Sequence, residues 1–136
     1  MAKLRHIAIC VRDIDKAVAF YGRVFGLKQV GRDDLAMGTG VYLSDGVVNL
    51  ALLSYKPGAV AAGVAGGTPP VGPHHFGFIV DDLEESQREI EAAGGTFFFK
   101  LGDDQEQANF ELKFKDPEGI IFDISQKGWL GTSGDV

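Results

Sequence analysis

Cysteine is nearly absent from this chain. The single thiol, Cys10, excludes an internal disulfide and fits a reducing cytoplasm. Long apolar runs are missing too. No run approaches the roughly 18 residues of a membrane-spanning helix. Near the start, Ile7 to Val11 is apolar but is cut short by Arg12-Asp13, so no signal-peptide core and a cytoplasmic location are expected. Basic residues are in deficit, 13 Lys and Arg against 19 Asp and Glu, and the net charge of -6 argues against a general nucleic-acid binder. An anionic small substrate remains compatible, since one pocket can be positive on an acidic protein. What is present is an ordinary globular composition, 45% hydrophobic and 24% charged over 136 residues, enough for one domain or two intimately packed modules.

One pattern occurs twice. Leu4-Arg5-His6-Ile7-Ala8-Ile9-Cys10-Val11 is followed by Arg12-Asp13 and a helix-like stretch to Gly26. Pro73-His74-His75-Phe76-Gly77-Phe78-Ile79-Val80 is followed by Asp81-Asp82 and a helix-like stretch to Gly94-Gly95. A shift of 69 residues superposes His6 on His75, Asp13 on Asp82 and Gly26 on Gly95. Two facing imidazoles would begin a metal site.

The alternation in residues 4–11 predicts a strand. Asp13 is placed as an N-cap, Ala17, Val18, Phe20, Tyr21, Val24 and Phe25 recur at helical spacing, and Gly26 stops the helix. In the second copy Asp82 and Glu85 form a capping-box pattern, with Leu83, Ile90 and Ala93 as a thinner apolar stripe. Strand-like runs follow at about 28–31, 40–43 and 47–54, with Asp45-Gly46 as a hairpin signal. In the second half they fall at 96–101, 110–115 and 120–125, the last two joined by Asp116-Pro117-Glu118-Gly119. The reading is a single domain over 1–136. Module one covers about 4–55, a Gly/Ala/Pro-rich linker or mobile loop about 56–73, module two about 74–126, and a tail 127–136, in which burial is the simpler reading for Trp129.

Alternation puts Leu4, His6, Ala8 and Cys10 on one strand face, opposite Ile7, Ile9 and Val11. His75, Gly77 and Ile79 likewise oppose Phe76, Phe78 and Val80. The bulky faces should pack on the helices, leaving the histidine faces room for a ligand. Late in each half a polar residue interrupts an apolar strand, Asn49 among Val47–Leu52 and Asp123 among Ile120–Ile124. A carboxylate there is costly to bury unless it is paired or bound to a cation. His6, His75 and Asp123, with Asn49 as a weaker amide oxygen, are the candidate metal ligands. Blander readings stand beside this. A strand histidine is often a hydrogen-bonded core residue, Asp123 could pair with a lysine such as Lys113, and Asn49 could satisfy backbone groups. His74 competes with His75, but repeat and alternation select His75. Cys10 lies about 13 Å along the strand from His6, too far for the same ion, and is read as a small core residue.

These segments carry a family resemblance: His6-Ile7-Ala8-Ile9 with Ala19-Phe20-Tyr21 and Phe25-Gly26-Leu27; His74 through Asp81; and Lys115-Asp116-Pro117-Glu118-Gly119 with Phe122-Asp123-Ile124. Over about residues 4–126 the chain resembles the vicinal oxygen chelate superfamily, which includes glyoxalase I, type I extradiol dioxygenases, fosfomycin-resistance proteins, methylmalonyl-CoA epimerase and bleomycin-binding proteins. The resemblance implies an α+β fold of two tandem βαβββ modules forming a curled mixed sheet cup, a divalent metal (Fe, Mn, Zn, Co or Ni) at His6, Asn49, His75 and Asp123, a small-molecule substrate with vicinal oxygens, and a homodimer. Two positions depart from the glyoxalase I pattern. Asn49 cannot act as a base, and Asp123 is one methylene shorter than the usual glutamate. Glu111 could replace the missing base if its strand register turns it into the cup. Without Asn49, two histidines and one carboxylate suit Fe(II) or Mn(II).

Phe97, Phe98, Phe99, Phe110 and Phe114 are candidate aromatic walls or plain core, and Tyr42, Arg32 and Lys100 candidate polar contacts. The leading expectation is a small metal-dependent enzyme, dioxygenase-like or glyoxalase/lyase-like. The alternative is a metal-free, drug-sequestering protein of the bleomycin-resistance type; a third is a structural dimer with an empty cup.

Overall fold

The computed structural model describes residues 1–133. The strands are β1 (Lys3–Cys10), β2 (Lys28–Leu35), β3 (Gly38–Ser44), β4 (Asn49–Tyr55), β5 (Gly72–Ile79), β6 (Thr96–Leu101), β7 (Glu111–Lys115) and β8 (Ile121–Ser125); the helices are α1 (Ile14–Phe25) and α2 (Leu83–Ala92). Each half is β-α-β-β-β. All strands join one curled mixed sheet in the order β2-β3-β4-β1-β5-β8-β7-β6, the expected α+β architecture. The halves meet where β1 runs antiparallel to β5, so both halves of the curled sheet come from one chain. No helix among the described residues is long and apolar enough to cross a membrane.

Both helices begin as their capping residues dictate. Asp13 accepts from the Lys16 amide and Asp82 from the Glu85 amide, each satisfying an otherwise orphaned first-turn donor. Gly26 ends α1 in the left-handed region at φ 69°, where a side chain would be strained. Ala17, Val18 and Tyr21 of α1 pack on Val41, Leu43 and Leu52. Leu83 and Ile90 of α2 pack with Val80, Phe110, Phe114 and Ile124.

Three details differ from expectation. Strand β2 runs four residues further than the apolar pattern indicated, through Arg32-Asp33-Asp34-Leu35; it is an edge strand, so these charges reach water without breaking the ladder. The segment between the modules is not all loose. A single 3-10 turn at Val60–Ala62 buries Ala61 and Ala62. The outward faces of the central strands are incompletely covered, because α1 lies over β2–β4 and α2 over β6 and β8, which leaves Ile7 37% exposed.

The register places the site. Asn49 of β4, His6 of β1, Gly77 of β5, Asp123 of β8 and Lys113 of β7 are successive partners in one row across five strands. Two residues along, on the same face, Tyr42, Ala51, Ala8 and His75 form the next row. The small side chains of Ala51 and Ala8 open the space that the polar row lines.

Candidate functional site

His6 and His75 are both buried, with ring centroids 5.3 Å apart. The outer nitrogen of each is tied back into the protein. Asn49 Nδ2 donates to the Leu130 carbonyl at 3.0 Å, which fixes the amide so that Oδ1 faces His6 Nδ1 at 2.8 Å. His6 Nδ1–H therefore donates, and its Nε2 carries a lone pair. On the other side His74 Nε2–H donates to the Ala62 carbonyl at 2.7 Å. This leaves His74 Nδ1 to accept from His75 Nδ1–H, also at 2.7 Å. His75 Nε2 thus faces inward as a second lone pair. Such outer hydrogen bonds commonly fix metal-binding imidazoles. Asn49, expected as a weak fourth ligand, stands behind His6 instead, its oxygen spent on the ring.

Asp123, fully buried, completes the convergence. Its Oδ2 lies 3.3 Å from His75 Nε2 and 3.7 Å from His6 Nε2, and the two Nε2 atoms are 3.3 Å apart. Two lone pairs at that separation repel unless a cation or proton stands between them. Three atoms so spaced share a point about 2.0 Å from each, and metal bonds to nitrogen and oxygen are about 2.0–2.2 Å long. Donor set and spacing therefore fit a divalent ion, and these ligand atoms all lie within 4.8 Å of one another.

A cation of the protein's own stands beside them. Lys113, with 2% of its side chain exposed, places Nζ 3.1 Å from Glu111 Oε1, 3.0 Å from both Asp123 oxygens and 3.3 Å from His75 Nε2. The ammonium's three donors are thus met by two carboxylates and an imidazole. Burial would lower the lysine pKa, but Asp123 and then Glu111 outweigh it, and the group is held charged above its ordinary value. Burial first, and the Lys113 charge second, push the His75 pKa well below its usual value, so the ring is neutral. The Asp123–Lys113 pair weighed at the outset therefore exists, within the candidate metal cluster itself.

Trp129 roofs this arrangement. Its indole stacks on His6 at 4.6 Å and 9°, and Nε1–H donates to Glu111 Oε2 at 2.6 Å. It can lie there because Gly77 has no side chain; a Cβ would meet the ring at 2.7 Å. Above the floor opens a cavity of about 510 Å³, with Tyr42, Tyr55, Leu53, Met37 and Phe110 among its walls. The Tyr42 hydroxyl donates to Asp33 at 2.8 Å, and burial above all raises the pKa of Tyr42 and Tyr55, which keeps both phenols protonated.

The other candidates separate cleanly. Glu111 does face the cup. Phe110 is a wall and also belongs, with Phe114, to the core against α2; Phe114, Phe97, Phe98 and Phe99 do not line the cavity. Arg32 is exposed and pairs with Asp34 at 3.0 Å; Lys100 borders a separate shallow cleft with Glu84 and Gln87. Cys10 is buried, its thiol pushed up to about 11 by burial. The roles of His74 and the Ala62 carbonyl come from the structure; a second histidine immediately before a candidate ligand is the one signal of them in the sequence.

A family model described as Glyoxalase/Bleomycin resistance protein/Dioxygenase superfamily matches residues 3–124. Lactoylglutathione lyase GLX1 of Arabidopsis thaliana is 26% identical over 131 residues, covering 90% of this chain and 44% of that protein; the chain therefore spans less than half the length of that relative. Uncharacterized protein YwbC of Bacillus subtilis (strain 168) is 29% identical over 104 residues, 71% of this chain and 76% of that one. Among solved structures, methylmalonyl-CoA epimerase in complex with methylmalonyl-CoA and NH4+ superposes with a TM-score of 0.72 at 16% identity, over 91% of this chain and 93% of that one. Hypothetical protein BH1468 from Bacillus halodurans C-125 gives 0.68 at 21%, over 90% and 92%. At these identities the structural likeness is one of fold.

Proposed function

Because the chain belongs to the Glyoxalase/Bleomycin resistance protein/Dioxygenase superfamily, we propose that it is a small metal-dependent enzyme acting on a substrate with two adjacent oxygens. The observation that carries this is the convergence of His6 Nε2, His75 Nε2 and Asp123 Oδ2 beneath an apolar-walled cavity. These three residues would hold the ion. When bound, a divalent ion would supply Lewis-acid charge to two adjacent substrate oxygens. The chain's own groups do the rest. Asn49 and His74 hold the imidazoles with their lone pairs inward, Trp129 excludes water from the floor, and the protonated phenols of Tyr42 and Tyr55 line the approach. Asn49 cannot accept a substrate proton, so two facing bases of the glyoxalase or epimerase kind are not in place; Glu111 is the carboxylate nearest to that role. We infer further a homodimer, resting on the family resemblance, and a cytoplasmic location, resting on the lone buried thiol.

The test is metal content. Protein purified without chelator, or stripped and reloaded with Fe(II), Mn(II), Co(II), Ni(II) or Zn(II), is expected to hold close to one ion per chain. His6→Ala, His75→Ala and Asp123→Ala should lose it, and His74→Ala should retain more of it. Failure of every ion to reach stoichiometry would overturn the reading. Oxygen uptake with catechols and loss of a hemithioacetal then separate oxygenase from lyase chemistry, and sedimentation reads the oligomeric state. A second reading, a metal-free protein that sequesters a small molecule, draws support from Lys113, whose ammonium already neutralises Asp123.

A further inference from the structure

The Lys113 ammonium and a metal ion compete for the same acceptors. An ion bound to His75 Nε2 and Asp123 Oδ2 would stand within about 4 Å of an ammonium that itself contacts both atoms, and charges of like sign so close inside a protein repel strongly. Lys113 nonetheless has somewhere else to go. Glu111 lies two residues away on the same face of β7, its Oε1 already 3.1 Å from Nζ, and both side chains line the open cavity. We propose that Lys113 is a tethered cation that holds the ion's place in the site, and that a divalent ion enters by pushing the ammonium off Asp123 and wholly onto Glu111. The proposal rests on the metal-binding reading above.

Every buried carboxylate keeps a cationic partner at each stage. Before entry one ammonium serves two carboxylates. Afterwards the ion takes Asp123 with the two imidazoles, and Lys113 and Glu111 remain as a separate pair. No carboxylate is left buried without a partner, which would be costly. The exchange makes the site selective by charge: an ion must outbid a resident +1 charge, which favours divalent over monovalent cations. It also gives Glu111 a role without ligation, as the acceptor that receives the displaced lysine. Trp129, bonded to the other Glu111 oxygen and stacked on His6, should register the movement, and it is the chain's one tryptophan.

The experiment is Zn(II) and Mn(II) titration of chelator-stripped protein by calorimetry, with tryptophan emission recorded in parallel. Lys113→Gln and Lys113→Met are expected to bind Zn(II) at least tenfold more tightly than wild type and to gain more melting temperature from it. Glu111→Gln should weaken binding at least threefold in the wild-type background and change it less than twofold in Lys113→Gln, as coupling through the lysine requires. In unmutated protein, acetic anhydride should modify Lys113 faster after Zn(II) loading than before. Equal affinity in wild type and Lys113→Gln, each binding one ion per chain, overturns the exchange and leaves the metal reading standing. Lys113 remaining protected in the loaded wild type does the same. No binding in either protein overturns both.

Discussion

The two halves of the sheet solve one problem differently. Each carries a polar residue on its last, largely apolar strand, and each buries it completely. In the first half the residue is a neutral amide, and two hydrogen-bond partners suffice: the His6 ring and the Leu130 carbonyl. In the second half it is a carboxylate, which requires a counter-charge, and Lys113 provides it from the neighbouring strand. The difference teaches that the two halves share the burial of a polar residue but not its charge. One half became a holder of geometry and the other a holder of cations.

Charge removal in the second half should therefore cost most. Asp123→Asn leaves the buried Lys113 ammonium with Glu111 as its one remaining carboxylate and is expected to lose about 3 kcal/mol in urea unfolding of stripped protein. Asn49→Ala, the matching change in the first half, leaves one ring N–H and one carbonyl unsatisfied, with an expected loss of about 1–3 kcal/mol. Equal losses would erase the distinction between the halves. Gly77→Ala tests the seam between them. The new methyl displaces Trp129, which predicts a cost of about 1–3 kcal/mol and a red-shifted tryptophan emission; an unshifted spectrum would contradict the stacking.

The smallest effect is on pH. Native His75 has a pKa well below that of the unfolded chain, about 6.5, and His74 is shifted the same way, in both cases through burial first. Below about 6.5 the unfolded state takes protons that the native state refuses, so stability falls as pH falls through this window and is flat above it. The melting temperature of stripped protein is expected to decline modestly from pH 7.5 to 5.5. Constancy over that range would mean the imidazoles are not held neutral.

Much of this was legible in the residues. The repeated strand-helix pattern, the aspartate caps and the turn at Asp116–Gly119 are local signals, and they produce the fold. His6, His75 and Asp123 stood out because polar groups inside apolar strands need a reason. The same turn sets the β7–β8 register that puts Lys113 opposite Asp123, so that pairing could be considered at the outset though not chosen. Other features depend on contacts that no local pattern encodes. Asn49 moved behind His6 because the Leu130 carbonyl, far along the chain, orients its amide. The 69-residue shift aligned His6 with His75, yet the sheet sets His6 opposite Gly77. An antiparallel seam relates the halves by a rotation, so equivalent residues step to either side of it. Strand β2 was underestimated because its charges hid its alternation.

The single seam between β1 and β5 has a kinetic consequence. The β2–β3–β4 and β6–β7–β8 hairpins form from neighbouring segments, whereas β1 and β5 must find each other across the whole first module, and such distant pairings close slowly. His6 comes from one side of that seam, and His75 and Asp123 from the other. Neither half alone holds the three-ligand set, so a refolding chain should acquire ion binding together with its last long-range strand pairing.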